Sequence, residues 1–481
     1  MDKKTPPSPI KFFKNLDKEH DFIEVSVIGE IPSSLNGILY RSGVGIFEQF
    51  GKRYKHTFEG DGAISAIKFK DSKAYASSKV VQSEGLLEEI NKGKNIYGSK
   101  APWFSRFING LKNKRKNTAN THIVAWQQGL YALMEGAKPT QIDFETLATI
   151  GEEDFNGEIK GTFSAHPHYV ASRECSYNFG LEYGRETKLN FYELPNSGKV
   201  RRIGSLTLEK PVMLHDFIVS DNYLIFFIAP AQLIIWKLLL SIGSFIDCLK
   251  WDEKSQTEII VVPIDDCEKS YRFKTKAFFA SHFAGAFEEN GKIYVDYIHY
   301  PDIKLFKNLG DGSELNWRES DNHSHGKLHR AEIDVKNNTF ISNLRWNGHC
   351  EFPRIAKFFS GKKYPYIWLQ SEEYIDGFFR SSISRINEKN EVVTFVYDEG
   401  QLCSEPVPIT SEASGDGCEY VLSLVFDSYK NISYYLLLTA RDLRFQARIE
   451  LSQVIPITFH GSWVDISDSR TLSERGSILT N

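Results

Sequence analysis

The side chains in this sequence best suited to chemistry are its 13 histidines. Imidazole can bind a first-row metal or shuttle a proton, although a lone histidine in a strand-rich chain is more often a hydrogen-bonded core residue. Three of them, His166, His215 and His282, recur in one local setting: a strand-like run, a turn five to eight residues later, and a returning run. Their separations are 49 and 67 residues, about one propeller blade with its loops, and His460 follows 178 positions beyond His282. Equivalent positions of successive blades converge on a central axis. A propeller therefore brings these imidazoles together, and a sandwich would not. Imidazole suits Fe, Zn, Cu and Ni alike, so residue type leaves the metal open.

Other candidates read less well. His323, His325 and His329, in DNHSHGKLHR, have the composition of a metal-binding tract but sit mainly among Asp, Asn, Ser and Lys, which predicts a solvated loop. His168 lies two residues from His166 and shares its face if the chain is extended there. The six cysteines show no CxxC spacing, which argues for reduced thiols rather than a disulfide framework or a zinc site. No GxGxxG stands between a strand and a helix, so no nucleotide fingerprint is expected.

The elements that must position these residues are mostly strands. AISAIKF–KDSK–AYASSKVV at 63–81 and AFFASHFAGAFE–ENGK–IYVDYI at 277–298 read as hairpins, the second with Asn290-Gly291 as a type I′ turn. VMLHDFIV–SDN–YLIFFI at 212–228 reads as a third. Helices are expected only at 86–93 and 231–246. Strand–helix alternation is absent, so the fold class is all-β. A hydrophobic content of 41% supports a buried core, and a net charge of −4 gives no reason to expect nucleic acid as a partner. The N-terminus lacks an apolar h-region, so no secretory signal is expected and the expected location is cytoplasmic. The uncharged run 223–236 falls short of the roughly 20 residues that a spanning helix needs.

AHPHY (165–169), MLHDF (213–217), SHFAGAFEE (281–289) and FHGSW (459–463), in this order and spacing, closely resemble the carotenoid cleavage oxygenase family. So do IPSSLNGILYRSGVG (31–45), HTFEGDGAISAIKF (56–69), YALMEG (131–136), CEFPRI (350–355) and CSEPV (403–407). The resemblance implies a seven-bladed β-propeller with loops and short helices capping the face above the metal. The implied ligands of one Fe(2+) per chain are His166, His215, His282 and His460. Glu135, Glu351 and Glu405 would orient His215, His282 and His460 respectively, with His166 lacking a carboxylate. No catalytic side chain is expected beyond the metal centre.

The implied partners are O2 and a hydrophobic polyene, a carotenoid or apocarotenoid cleaved at one C=C bond into two carbonyl products. Stilbene cleavage, retinoid isomerohydrolysis and a catalytically silent binding scaffold are the alternatives. Stilbene-cleaving relatives place a phenol-gripping lysine where this chain has Met134, which favours a carotenoid. Gly285 and Pro408 depart from the family pattern near the third histidine and the third acid. His56 lies in a family motif without a metal role. The whole chain, 1–481, is expected to form one propeller domain with an N-terminal extension over 1–25. Segments 99–118 and 229–250 are expected to touch a membrane peripherally. There Trp103, Phe104, Phe107, Ile108 and Leu111 would meet lipid beside Lys112, Lys114, Arg115 and Lys116.

Overall fold

Among the described residues, alternating strand patterns separated by short turns give the seven antiparallel blades of a β-propeller, the fifth and sixth joined in one seven-stranded sheet, with two small two-stranded ribbons besides. The computed structural model describes residues 9–112, 114–240, 244–310, 326–376, 378–409 and 418–465. The second blade runs His122–Trp126, Gly129–Leu133, Thr140–Ile142 and Thr149–Glu152, each strand pairing with the next. The third runs from His168–Val170 through Cys175–Tyr183 and Thr187–Pro195 to Arg201–Leu208. The fourth comprises Ile218–Val219, Tyr223–Ile228, Thr257–Pro263 and Tyr271–Thr275. The long strand Thr339–Arg354 is shared. Its first part ends the fifth blade, after Phe279–Glu289, Lys292–Tyr300 and Lys327–Asp334, and its last residues open the sixth. Tyr366–Ile375, Phe378–Asn387 and Val392–Val396 complete the sixth.

Both ends of the described chain close the ring. Thr458–Asp465 pairs with Gly37–Ile46 and so joins the first blade, beside Asp61–Lys70, Lys73–Val80 and His20–Glu24. Val27–Gly29 pairs with Phe445–Glu450 and forms the outer edge of the seventh. The core is accordingly a set of layers between neighbouring blades. Phe179, Phe191, Phe217 and Phe226 pack between the third and fourth, and Leu39, Ile67, Leu422 and Leu437 between the seventh and first.

Three insertions cap one end. The helix Glu84–Lys92 starts at Ser83, whose side chain accepts from the Leu86 N–H, and stops at Gly93 in the left-handed region. The helix Trp103–Leu111 has no fully buried residue, and the Trp103 indole donates to the Leu240 carbonyl (3.1 Å), joining it to the insertion after the helix Ile235–Leu239. The helix Lys304–Asn308 is the third.

Several expectations need correction. The hairpin over 212–228 keeps only Ile218–Val219 and Tyr223–Ile228, because Val212 bridges Gln232 instead. The helix expected over 231–246 is only Ile235–Leu239, because Ala231–Leu233 pairs with Leu249–Trp251 and buries Leu233 and Leu249. Within the expected extension, Phe13 is fully buried and His20–Glu24 pairs into the first blade, while residues 1–8 lie outside the described residues. His329 lies in a strand, stacked on His299 at 4.4 Å, rather than in a solvated loop, and His323 and His325 fall outside the described residues. The hairpins over 63–81 and 277–298 are present. Asn290 (φ 53°) and Gly291 (φ 75°) both adopt the left-handed conformation that a type I′ turn requires.

Candidate metal centre

The start of each blade's first strand delivers a side chain to the axis. His460 and His282 stand within strands Thr458–Asp465 and Phe279–Glu289, whereas His166 and His215 lie just ahead of the first strands of blades three and four. All four imidazoles are buried, and one ring nitrogen from each lies within 4.8 Å of the other three. His215 Nε2 and His282 Nε2 approach to 3.1 Å.

The three glutamates stand behind three of these rings. Glu351 Oε2 accepts from His282 Nδ1 (2.6 Å) and the Phe352 N–H (2.8 Å), and Oε1 accepts from Ser281 Oγ (2.5 Å) and Tyr300 Oη (2.8 Å). Glu405 Oε1 accepts from His460 Nδ1 (2.9 Å) and Arg354 (3.3 Å), and Oε2 from the Gly461 N–H (2.9 Å). Glu135 Oε1 lies 2.7 Å from His215 Nδ1, a close contact but not a well-aligned hydrogen bond. His166 has no side-chain partner among the described residues; its backbone N–H donates to Ser164 Oγ (3.1 Å). Arg354 pairs with Glu405 and not with Glu351, and Glu405 is fully buried rather than a surface residue at a strand end.

The protonation states fit a cation. Burial opposes ionisation of Glu351, but the adjoining His282 outweighs it and holds the carboxyl down at about 2. Burial likewise opposes ionisation of Glu405, and Arg354 and His460 hold it well below the usual carboxylate range. Burial pushes His460 down to about 4 and His166 well below its ordinary value. Where Nδ1 carries its proton towards a carboxylate, as at His282 and His460, a neutral ring would turn its Nε2 lone pair inward. If both the His215 and His282 Nε2 atoms carry lone pairs, their 3.1 Å approach is repulsive unless a positive charge lies beside them. His166 Nε2 is likewise buried without a hydrogen-bond partner among the described residues.

Four features lay beyond the sequence reading. Arg41, fully buried, donates to the Glu405 carbonyl (3.0 Å), the Phe459 carbonyl (2.8 Å) and Thr458 Oγ1 (3.1 Å). Asp216 accepts from His168 Nε2 (2.8 Å) and the Phe283 N–H (3.1 Å), so His168 serves that carboxylate and turns away from the axis. Phe352 adopts φ 50° and stacks on His282 (centroids 5.2 Å apart), which places local backbone strain at the site. His122 is a fifth buried imidazole, with centroids 5.4 Å from His460 and 6.1 Å from His166. Its 44-residue spacing to His166 could have revealed it. His56 donates through Nε2 to the Phe306 carbonyl (2.7 Å), pinning a ring that packs on His215. Gly285 leaves no space for a side chain: a Cβ there would meet the Tyr364 ring at 2.7 Å.

A buried all-histidine cluster on a propeller axis defines a propeller metalloprotein. The family profile described as retinal pigment epithelial membrane protein matches residues 12–465. Apocarotenoid-15,15'-oxygenase of Synechocystis sp. is 30% identical, over 95% of this chain and 96% of its own length. Carotenoid cleavage oxygenase 1 of Neurospora crassa is 27% identical, over 95% and 90%. Resveratrol cleavage oxygenase 1 of Aspergillus fumigatus is 25% identical, over 96% of each. The solved structure of the cobalt-substituted Synechocystis apocarotenoid oxygenase superposes with a TM-score of 0.87 at 29% identity, over 95% of this chain and 98% of that one. The chain belongs to the carotenoid oxygenase family.

Proposed function

We propose that this protein is a non-haem dioxygenase that cleaves one C=C bond of a carotenoid or apocarotenoid, using Fe(2+) held by His166, His215, His282 and His460. The observation that carries this reading is the buried four-histidine cluster, backed at three rings by Glu135, Glu351 and Glu405. Relatives named for apocarotenoid and carotenoid cleavage match nearly the whole chain. Four nitrogen ligands leave up to two positions on a six-coordinate ion for O2 and water. Bound ferrous iron would supply the one-electron chemistry that lets O2 react with a double bond. Both oxygen atoms end in the two carbonyl products.

The chain's own part is to hold and exclude. Phe352 on His282 and Phe306 on His215, with Phe58 against Phe306 and Phe459, set apolar surface beside the cluster. Such walls suit a polyene and keep water from competing. Met134 Sδ accepts from the Thr118 N–H (3.3 Å), so no ammonium stands there to grip a phenol, and this disfavours stilbenes. Chromatography of the products from β-carotene, an apocarotenal, a hydroxystilbene and a retinyl ester separates the readings, with iron analysis alongside. Aldehydes from a carotenoid or apocarotenoid are expected from the wild type, and neither iron nor product from His282→Ala. An active, iron-replete His282→Ala protein would sink the site.

The same reading takes the propeller as one functional unit that meets lipid peripherally. Among the described residues no helix is long and apolar enough to cross a membrane. Trp103 (52% exposed), Phe104 (67%), Leu111 (68%) and Trp236 (57%) form an apolar surface across two joined insertions. The basic cluster expected beside it is thinner. Lys116 is buried against Asp61 and Glu89, and Lys114 pairs with Glu88, which leaves Lys112 and Arg115 for anionic lipid.

A further inference from the structure

In six blades the strand nearest the axis, or the segment beside it, supplies a residue that the metal reading uses: His460 in the first, His166, His215 and His282 in the third to fifth, Glu351 and Glu405 in the sixth and seventh; the second blade supplies Glu135 from beyond its next strand. The second blade's first strand, His122–Trp126, begins with His122 at the equivalent place. His122 Nδ1 lies 2.7 Å from the Ala165 carbonyl oxygen, so its N–H donates there, immediately before His166. The preceding residue, Thr121, accepts the backbone N–H of His460 through its carbonyl (3.1 Å). This short stretch therefore touches the backbone at two of the four clustered histidines. His122 Nε2 is buried and has no hydrogen-bond partner among the described residues. An ordinary core histidine satisfies both nitrogens, and an apolar side chain here would avoid the cost of an unpaired one.

We infer that His122 is a positioning residue of the metal centre: its Nδ1–H, by holding the Ala165 carbonyl, fixes the backbone that carries His166, the one clustered imidazole without a carboxylate. This rests on the proposed metal site. A carboxylate stands behind the rings of His215, His282 and His460, whereas His166 is oriented through its main chain. Loss of the His122 bond would let the 165–166 peptide turn and spoil the four-nitrogen geometry without removing a ligand.

The test uses the full-length apoprotein titrated with Co(II). The d–d absorption reports geometry, chelator competition gives the dissociation constant, and thermal melting of the apoprotein reports the fold. Outer partners of metal ligands are typically worth 10–100-fold in affinity. His122→Ala is expected to weaken Co(II) binding by about that factor and to shift the d–d bands. His122→Asn, whose amide can offer an N–H near the Nδ1 position, is expected to restore much of the affinity and the wild-type spectrum. Unchanged affinity and spectrum in His122→Ala would overturn the inference, as would an Asn variant as defective as Ala. Failure of both variants to fold would assign His122 to the blade core and overturn it too. Absence of Co(II) binding by the wild type would instead overturn the metal-site reading, and this inference with it.

Discussion

The same chemical change, glutamate to glutamine, should have very different consequences at positions 351 and 405. At Glu351, Oε1 is held by two hydroxyls, Ser281 and Tyr300, while Oε2 takes the His282 Nδ1–H and the Phe352 N–H. A hydroxyl can accept as well as donate, so a glutamine amide can face Ser281 and Tyr300 and leave its oxygen to His282 and Phe352. What Glu351→Gln loses is the charge assistance to bonds that it can still make, on the order of 1–2 kcal/mol. Glu405 offers no such accommodation. His460 Nδ1, the Arg354 guanidinium and the Gly461 N–H all donate to it, and none can accept once His460 Nδ1 is protonated. A glutamine NH2 must therefore confront a donor, and Arg41 and Arg354 lose their shared countercharge. Breaking a buried pair from one side costs about 3–5 kcal/mol. An unfolding entropy of about 2.1 cal/mol/K per residue over roughly 450 residues makes 1 kcal/mol worth about 1 °C. Apo Glu405→Gln should then melt roughly 3–5 °C below wild type, with Glu351→Gln within about 2 °C but binding metal on the order of 10–100-fold more weakly. Calorimetry of the apoproteins and metal titration check both. Equal melting temperatures for the two variants would refute the donor-count reasoning.

Lys100 is buried and sits 3.6 Å over the Tyr54 ring, and burial pushes its pKa down from 10.5 to about 8. A lowered lysine pKa means the folded state holds the proton less tightly than the unfolded one. The cost is therefore full below pH 8 and fades as pH rises towards 10.5. Lys100→Met should melt higher than wild type at pH 7, by at most roughly 3 °C, with the gap narrowing by pH 10; a constant gap would contradict the assignment. Adding Fe(II) or Co(II) to the apoprotein should raise its melting temperature as the logarithm of metal concentration, whereas His282→Ala should not respond. Phe104→Glu combined with Trp236→Glu should lower flotation with anionic liposomes, and flotation equal to wild type would remove the lipid-contact reading.

His166, His215 and His282 were legible because each stands at the head of a recognisable strand–turn–strand unit at about blade spacing, whereas His460 was legible mainly through the family motif FHGSW. Their carboxylates were legible only through the family motifs. Nothing local marks Glu351 rather than a neighbouring acid, since its partner His282 lies 69 residues away. The Arg41–Glu405 contact joins residues 364 apart, across the ring closure, and no periodicity reports such a pairing. His122 escaped because a single histidine in HIVAW looks like strand content, although its spacing extends the same series. The segment 231–246 misled because apolar composition does not separate a helix from a strand that finds a partner. The pairing of Ala231–Leu233 with Leu249–Trp251 was decided by backbone hydrogen bonding in three dimensions.

Ring closure and completion of the metal site are one structural event. His460 rides on Thr458–Asp465, the strand that closes the first blade, while the other three clustered histidines come from blades three, four and five. An ion bound by all four would tie the closing strand across the axis to blades that do not touch it through the sheet, in addition to its own pairing with Gly37–Ile46. Metal binding should therefore protect this strand more than strands remote from the axis. Amide hydrogen exchange at 458–465 is expected to slow on Co(II) addition, whereas the outer strand Val392–Val396 of the sixth blade is expected to change little. Uniform protection across both strands would mean that the ion stabilises only the global fold. Protection confined to 458–465 and the neighbouring axis segments would mark the metal as the pin of the closure.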